Sequence, residues 1–307
     1  MICLSVTLFP LYSFSGYGTE FQNLVSSWLT VMIIVIVVCF VVSEITCNYS
    51  QVDKLWSLIP IIYGWITVAA FPSARIIIMA LLVTIWGLRL SYNFYRKGGY
   101  NIIPWKGEED YRWGHLRKTP LLKGRLRFGL FNLLFISLYQ NIVILLFSSP
   151  LLAAALNNGR SLVLTDFLAG GFMLLFIATE SVADNQLFRF HREKKKPDNP
   201  DNKYKKSVRN GFLSEGLWKY ARHPNFASEQ AIWISFYFFG VAASGKLINF
   251  TLAGAVLLVL IFVGSTIMTE GISSKKYPEY AVYQKEVPKF IPRLKGARQV
   301  KTSDINT

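Results

Sequence analysis

The sequence lacks the short motifs by which soluble enzymes hold nucleotides, metals and redox partners. It contains no GxGxxG after a strand, no P-loop, no CxxC and no HExxH. A soluble Rossmann site is therefore excluded. Any nucleotide that this protein uses must be held by membrane helices and the loops between them.

Cysteine is scarce. The chain has three, Cys3, Cys39 and Cys47, and an odd number cannot pair completely. Cys39 falls inside a long apolar run, where neither a disulfide nor a metal framework is expected. We predict no metal site.

Acidic residues are also few, and the chain is rich in apolar residues. The 307 residues are 52% hydrophobic with a mean hydropathy of +0.34, too apolar for an ordinary soluble domain. A helix of about 20 apolar residues crosses the hydrocarbon core, which predicts an all-α, polytopic membrane protein with seven transmembrane helices. The predicted spans are Trp28–Ile45, Leu55–Phe71, Ile76–Phe94, Phe128–Leu152, Leu164–Phe188, Phe226–Ala243 and Phe250–Met268.

The basic residues divide unequally between the two sides. Of 33 Lys and Arg residues, only Arg75, Arg160 and Lys246 fall in the three connections on one side. By the positive-inside rule the N-terminus is outside and the C-terminus cytoplasmic. We expect a multi-pass protein of the bacterial inner membrane or the endoplasmic reticulum. The net charge of +15 lies in membrane-flanking loops, so we predict contact with membrane lipid and none with nucleic acid.

Residues 28–295 are predicted to form one membrane domain. Residues 1–27 lack a basic n-region and a clear cleavage site, and we interpret them as an outer-face segment. Residues 296–307 are predicted to be a disordered tail. No obligatory protein partner is evident. The loop up to Arg127, with its acidic Glu108–Asp110 cluster, is too long for a bare hairpin and is expected to fold against the membrane face.

The densest polar cluster beside a span is GLWKYARHPNFASEQAIW, from Gly216 to Trp233. Pro224 prevents a helix from running through His223, and Asn225 is predicted to be the N-cap of the sixth span. The N-terminus of that helix favours an anion. Arg222 beside it is a candidate bidentate phosphate donor.

Aromatic and acidic side chains accompany this turn. Trp218, Tyr220 and Phe226 are candidate faces for stacking on an aromatic ring. Glu229 lies one helical turn after Asn225, on the same side, where a carboxylate suits a ribose hydroxyl or an amide. The pattern indicates a cofactor site.

The fifth span carries Glu180 and Asp184, four residues apart on one face, and Arg189 at its cytoplasmic mouth. Two like charges on one membrane-embedded face repel unless an Arg, a proton or a ligand hydroxyl intervenes. A structural ion pair with Arg89 or Arg96 is the competing interpretation.

Three further groups of residues have a structural interpretation beside a functional one. Asp53, at the cytoplasmic start of the second span, is either a first-turn carboxylate or a functional group. Tyr92 shares a helix face with neighbouring Arg and Tyr residues, as an interfacial aromatic belt would. In the C-terminal tail, Tyr280 and Tyr283 fit either an amphipathic membrane-surface helix or a lid over a cofactor.

Three segments in the right order carry a family resemblance. GLWKYARHPNFASE, preceded by ESVADNQ and followed by KYPEYAVYQKEVPKFIP, resembles the steroid 5α-reductase-like family of integral membrane proteins. The resemblance is to the microbial branch described as a domain of unknown function. It extends from about Asp53 to Pro292 and is most specific from Glu180 onward.

The resemblance implies a seven-helix bundle that opens to the cytoplasm, with NADPH held there by the C-terminal helices and loops. It implies hydride transfer to a carbon–carbon double bond conjugated to a ketone, in a lipophilic small molecule such as a 3-oxo-Δ4 steroid. Asp53, where the steroid reductases carry Glu, and Tyr92 are the nearest positions to their catalytic carboxylate and tyrosine. The residue pattern and the resemblance together give the predicted cofactor-binding residues: Asp184, Arg189, Trp218, Tyr220, Arg222, His223, Asn225, Glu229, Tyr280 and Tyr283.

Two alternatives use the same residues. An Arg-His-Pro turn before a late membrane helix also resembles the isoprenylcysteine and phospholipid methyltransferases, which bind S-adenosylmethionine. Those chains generally have fewer spans, and a strongly basic mouth suits a dinucleotide better. A non-catalytic sterol-binding protein on a reductase frame is the second alternative.

Overall fold

A computed structural model describes residues 16–101, 103, 107–196 and 201–293. Cys3 and most of the predicted outer-face segment 1–27 lie outside the described residues, as does the whole of the tail 296–307. Within the described ranges every regular element is helical, which confirms the all-α class.

The helices are numbered here in chain order. They are α1 (Thr19–Thr46), α2 (Gln51–Leu55), α3 (Ile59–Ala70), α4 (Ala74–Arg96), α5 (Tyr111–Leu116), α6 (Arg125–Phe131), a π-helix (Asn132–Tyr139), α7 (Gln140–Ser148), α8 (Pro150–Leu156), α9 (Leu164–Lys194), α10 (Lys205–Asn210), a 3-10 helix (Gly216–Lys219), α11 (Pro224–Ser244), α12 (Leu252–Lys276) and α13 (Tyr280–Glu286).

Five helices in the described residues are long and apolar enough to cross a membrane. They are α1, α4, the continuous helix Arg125–Ser148, α9 and α12. The predicted second span corresponds to α3, which has 12 residues and is shorter than the hydrocarbon core requires. The predicted sixth span corresponds to α11, which has 21 residues but carries polar side chains in its first two turns.

Several helices extend beyond the apolar runs that predicted them. Helix α1 begins at Thr19, inside the range assigned to the outer-face segment. Helix α9 continues to Lys194 and α12 to Lys276. Both extensions end in basic residues, which are good helix formers and are favoured near a helix C-terminus. Hydropathy marks the membrane-embedded part of a helix and misses its polar extension.

The chain divides into two compact units. Among the described residues, the first comprises 16–174 and Ile232–Leu260, and the second comprises Leu175–Ala231 and 261–293. The core of the first unit is aromatic. Trp28 stacks on Tyr63 with ring centroids 4.3 Å apart, and Trp233 contacts both Phe147 at 4.0 Å and Trp86 at 4.8 Å.

The loop after α4 folds back onto the start of α2 within the first unit. Asn48 donates to the carbonyl of Gly107 at 2.8 Å, and the backbone N–H of Asp110 donates to the Ser50 hydroxyl at 2.9 Å. The loop is therefore folded rather than a bare hairpin, and its placement against the membrane face stays a prediction.

The second unit has two small apolar clusters. Phe190, Leu213 and Trp218 form one. Phe212, Tyr280, Tyr283 and Val287 form the other. Phe212 and Leu213 are adjacent in sequence and belong to different clusters, so this stretch takes part in both.

Candidate functional site

The Arg-His-Pro-Asn turn opens α11 in the second unit. The helix begins at Pro224, and the carbonyl of His223 accepts the first intrahelical hydrogen bond, from Ala227 N–H at 2.9 Å. His223 therefore occupies the N-cap position, and the prediction that Asn225 is the N-cap is wrong. Proline is favoured at the first helical position because it has no N–H to leave unpaired.

Arg222 is buried and bound by the protein itself. Its Nε donates to Oε1 of Glu270 at 2.6 Å and its Nη2 to Oε2 at 3.2 Å. Its Nη1 donates to the carbonyls of Gln284 and Val287. This arrangement gives Arg222 a structural role and argues against the predicted phosphate contact, since the guanidinium is used to bind internal acceptors.

His223 shares the same carboxylate. Its Nε2 lies 2.9 Å from Oε1 of Glu270, and Gln284 donates to Oε2 at 3.1 Å. The ring stacks on Phe226 with centroids 5.6 Å apart. Since His223 is 6% exposed, its predicted cofactor contact has little surface available.

Backbone hydrogen bonds fix the C-terminal segment to the turn. The N–H groups of Arg222 and His223 donate to the carbonyls of Pro288 and Lys289 at 2.9 and 3.1 Å, and Arg293 N–H donates to the Tyr220 carbonyl at 3.1 Å. The turn is consequently held by side chains and backbone together, which makes the start of α11 a rigid platform.

Asn225 is the exception to this internal pairing. Its Oδ1 atom is buried and has no hydrogen-bond partner, while its Nδ2 makes a long contact of 3.4 Å with Oδ1 of Asp184. A buried amide oxygen without a donor is uncommon and costs about 1–3 kcal/mol. The site therefore presents an acceptor in need of a donor.

Two carboxylates accompany Asn225 in the second unit. Asp184 on α9 and Glu229 on α11 are each 3% exposed. Glu229 follows Asn225 by four residues, so the two side chains share a helix face. Buried carboxylates accept hydrogen bonds from hydroxyl and amide groups, and this acceptor-rich corner suits a ligand that offers such donors.

The aromatic residues that were predicted to contact the cofactor fall into a buried group and an accessible group. Trp218, Tyr280 and Tyr283 lie in the apolar clusters. Trp218 Nε1 donates to the Ala183 carbonyl at 3.3 Å, and the Tyr283 hydroxyl donates to the Trp218 carbonyl. Burial raises the pKa of Tyr283. Packing in these clusters favours a core role for the three rings. The stacking role of Trp218 and the lid role of Tyr280 and Tyr283 stay predictions.

Tyr220, Phe226 and Arg189 remain accessible. Tyr220 and Phe226 are half-buried and Arg189 is exposed. The Lys219 ammonium lies 4.7 Å from the Tyr220 ring centroid, which places a cation and an aromatic face together. Further exposed cations in the second unit include Arg192, Lys195, Lys196, Lys203, Lys205, Lys206 and Arg209.

Asp53 belongs to the first unit. Its Oδ2 accepts a hydrogen bond from Trp113 Nε1 at 2.9 Å. Burial raises the pKa of Asp53, against the opposing effect of the Arg112 guanidinium. Asp110 shows the reverse, because hydrogen bonds and charge from Arg112 outweigh its burial and lower its pKa. A carboxyl that keeps its proton more readily is suited to proton donation.

Tyr92, also in the first unit, is 63% exposed. The Arg96 guanidinium lies 5.7 Å from its ring centroid. This is the placement of an interfacial aromatic-basic belt. It argues against Tyr92 as a proton donor in a water-excluded site.

Glu270 and Gln284 are the residues that the sequence interpretation missed. Glu270 is 5% exposed near the end of α12, and a carboxylate at the end of an apolar helix is itself a signal of a partner. Among the described residues, no group of three or more His, Cys, Asp or Glu could hold a metal ion.

Comparison with known proteins shows a family and a relative. A family described as "Protein of unknown function (DUF1295)" matches residues 39–287. An "Uncharacterized protein C594.04c" of Schizosaccharomyces pombe is 40% identical over 270 residues, which cover 83% of this chain and 76% of that protein. No solved structure matches the chain.

Proposed function

The chain belongs to the DUF1295 family of proteins of unknown function, and we propose that it is a membrane reductase. The proposed reaction is NADPH-dependent reduction of a carbon–carbon double bond conjugated to a ketone in a lipophilic substrate. A 3-oxo-Δ4 steroid or a similar polycyclic lipid is the proposed substrate class. The likeness of GLWKYARHPNFASE and its flanking motifs to the steroid 5α-reductase-like family supports this choice.

One observation carries the proposal. The buried Oδ1 of Asn225 has no donor, beside a platform in which Arg222 and His223 are fully held by Glu270 and backbone groups. Because Arg222 and His223 are bound by internal groups while the amide oxygen of Asn225 lacks a donor, this oxygen is the proposed contact for a ligand.

The residues present fit a dinucleotide. Asn225, Asp184 and Glu229 offer acceptors that suit the ribose hydroxyls and the carboxamide of NADPH. The exposed cations near the end of α9, including Arg189, supply the charge that attracts its phosphates. Tyr220 and Phe226 offer partly accessible rings. A sulfonium donor would need no such excess of positive charge.

When bound, NADPH would supply the hydride, and the chain would orient it and exclude water. The raised pKa of Asp53 supports this carboxyl as the proton donor that stabilises charge developing on the ketone oxygen. Tyr92 is not retained in this role because its ring is exposed.

The proposed topology has seven spans: the five long helices, α11, and residues 55–71, in which a turn precedes α3. The N-terminus is placed outside and the cofactor site on the cytoplasmic side. The concentration of basic residues in the loops after α4 and α9 and in the C-terminal segment supports this orientation.

The test is a titration of the detergent-purified full chain with NADPH, monitored by thermal stability and calorimetry. NADPH should raise the Tm, and Asn225→Ala should weaken NADPH binding about tenfold, as expected for one lost hydrogen bond of about 1.4 kcal/mol. Asn23→Ala, at an exposed asparagine of α1, is the matched control and should bind as the wild type does.

Each other outcome assigns a different function. Stabilisation by S-adenosylmethionine but not NADPH would make the protein a methyltransferase. No stabilisation by either nucleotide would leave a sterol-binding protein on a reductase frame. NADPH oxidation against a panel of lipophilic enones then identifies the substrate.

A further inference from the structure

The first unit contains a cleft that the proposed reaction does not use. Its volume is about 500 Å³, and it is lined by Arg160, Ser161, Val163, Thr165, Val241, Ala242 and Gly245. Small-molecule sites in proteins commonly measure about 300–1,000 Å³. One guanidinium, two hydroxyls and short apolar side chains make a surface suited to an anionic group attached to an apolar body.

The guanidinium of Arg160 is available for such a ligand. Arg160 is exposed, and within the described parts of the chain its side chain makes no hydrogen bond or ion pair, although its carbonyl accepts from Arg75 at 3.1 Å. A guanidinium binds a phosphate through two parallel hydrogen bonds. Ser161 and Thr165 add hydroxyl groups that can donate to the same anion.

A buried ion pair fixes the backbone of the segment that carries Arg160. Arg75 and Asp166, each 3% exposed, are joined by hydrogen bonds of 2.8 and 3.0 Å. Arg75 also donates to the carbonyl of Ser161 at 2.7 Å, and Asp166 accepts from Val163 N–H at 2.9 Å. The lining segment is therefore fixed before any ligand arrives, which lowers the entropic cost of binding.

Gly245 leaves room for the Arg160 side chain in the cleft. Its φ of +70° lies in the left-handed region, and a Cβ built there would stand 2.7 Å from Nη1 of Arg160. A larger residue would be strained and would displace the guanidinium. The glycine thus leaves room for the guanidinium beside it.

The segments that flank the cleft carry large apolar side chains that are exposed. Leu164 and Phe167 on one side, and Leu247 and Ile248 on the other, are 62–78% exposed. Large exposed apolar side chains that flank a cationic cleft suit lipid acyl chains beneath a headgroup. Arg75, Arg160 and Lys246 are also the three cations expected on the outer side. All three lie in or beside this cleft.

We propose that the cleft binds the phosphate of an anionic lipid headgroup, with Arg160 as the anion ligand and Ser161 and Thr165 as supporting hydroxyls. The site is independent of the proposed reductase activity. The lipid is preferred to free phosphate because the exposed apolar residues around the cleft offer a surface for acyl chains that inorganic phosphate lacks.

The test uses the delipidated full chain in a non-ionic detergent. Phosphatidylglycerol, phosphatidylcholine with the same acyl chains, and inorganic phosphate are added separately. Thermal stability and native mass spectrometry report stabilisation and the number of bound lipids. Phosphatidylglycerol should raise the Tm of the wild type, whereas Arg160→Gln should bind it about tenfold more weakly, as for one lost bidentate contact.

Lys123→Gln removes the same charge from an exposed position outside the cleft and should behave as the wild type. Thr165→Val, which keeps the side-chain volume, should also weaken lipid binding and serves if Arg160→Gln does not fold. Equal binding of phosphatidylglycerol by all variants would overturn the proposal. An equal effect of phosphatidylcholine would do so too, and a full effect of inorganic phosphate would replace the lipid by a free anion.

Discussion

Arg222 and Glu270 form a buried bidentate ion pair, with Nε–Oε1 and Nη2–Oε2 distances of 2.6 and 3.2 Å. The pair joins the start of α11 to the end of α12. Because His223 and Gln284 contact the same carboxylate, one acidic side chain organises the turn and the C-terminal segment together.

Glu270→Gln should therefore destabilise the second unit strongly. Removal of one partner from a buried ion pair leaves an uncompensated charge and costs about 3–5 kcal/mol, here on the Arg222 guanidinium. The Tm in detergent should fall well below that of the wild type.

Glu279→Gln is the matched control for this change, since Glu279 is exposed nine residues further along the chain, and its Tm should stay near the wild-type value. If Glu270→Gln had the same Tm as Glu279→Gln, the ion pair would contribute nothing to the stability of the turn.

The sequence predicted the helices better than the contacts between them. Apolar runs located the five long helices because a membrane span has a composition of its own. The Arg-His-Pro-Asn turn was located at the start of α11 because proline restricts the residue before it. Local spacing cannot reveal the partner of Arg222, because Glu270 is 48 residues away.

The burial of three aromatic residues was not predicted from the sequence, for a related reason. Trp218, Tyr280 and Tyr283 stand among basic residues in the sequence, as ligand-binding rings do, but all three are buried in apolar clusters. Whether a ring faces a core or a ligand depends on which distant segment covers it. For Trp218 that segment includes α9, and for Tyr283 it includes Phe212.

Gly216→Ala tests the turn before α11. Gly216 has a φ of +65°, and a Cβ there would meet Oε1 of Gln186 at 2.5 Å. That oxygen accepts the Leu217 N–H at 2.9 Å, so it cannot move without losing the bond. We expect a loss of about 1–2 kcal/mol from strain and the weakened hydrogen bond, seen as a lower Tm.

Gly264→Ala provides the opposite result in the same unit. Gly264 lies within α12 and nothing stands within 4 Å of its would-be Cβ. Alanine is favoured over glycine in a helix by about 1 kcal/mol, so this variant should not lower the Tm. A Gly216→Ala protein as stable as Gly264→Ala would show that the turn is not constrained.

Tyr283→Phe separates a core role from a cofactor role. The hydroxyl donates to the Trp218 carbonyl in a buried cluster, and its loss should cost about 1 kcal/mol. Thermal melting should therefore show a lower Tm, while calorimetric titration should show unchanged NADPH affinity. Tyr95→Phe, at a ring 64% exposed, should change neither. A weakened NADPH affinity in Tyr283→Phe would restore the residue to the binding site.

Asp53 and Asp110 should respond to pH in opposite directions. The pKa of Asp53 is raised by its burial, so the stability it contributes is present at low pH and is lost as pH rises through its folded pKa. The pKa of Asp110 is lowered because Arg112 outweighs its burial, so its contribution is present at neutral pH and is lost as pH falls through its folded pKa.

Two isosteric variants measure this contrast. Asp53→Asn keeps an acceptor for Trp113 Nε1 and removes the buried charge, so its Tm relative to the wild type should increase between about pH 4 and about pH 8. Asp110→Asn loses the ion pair with Arg112 and should melt below the wild type near neutral pH. If Asp53→Asn also melted lower at neutral pH, Asp53 would be a stabilised anion, and a carboxylate held in that state cannot deliver the proton that the proposed reduction requires.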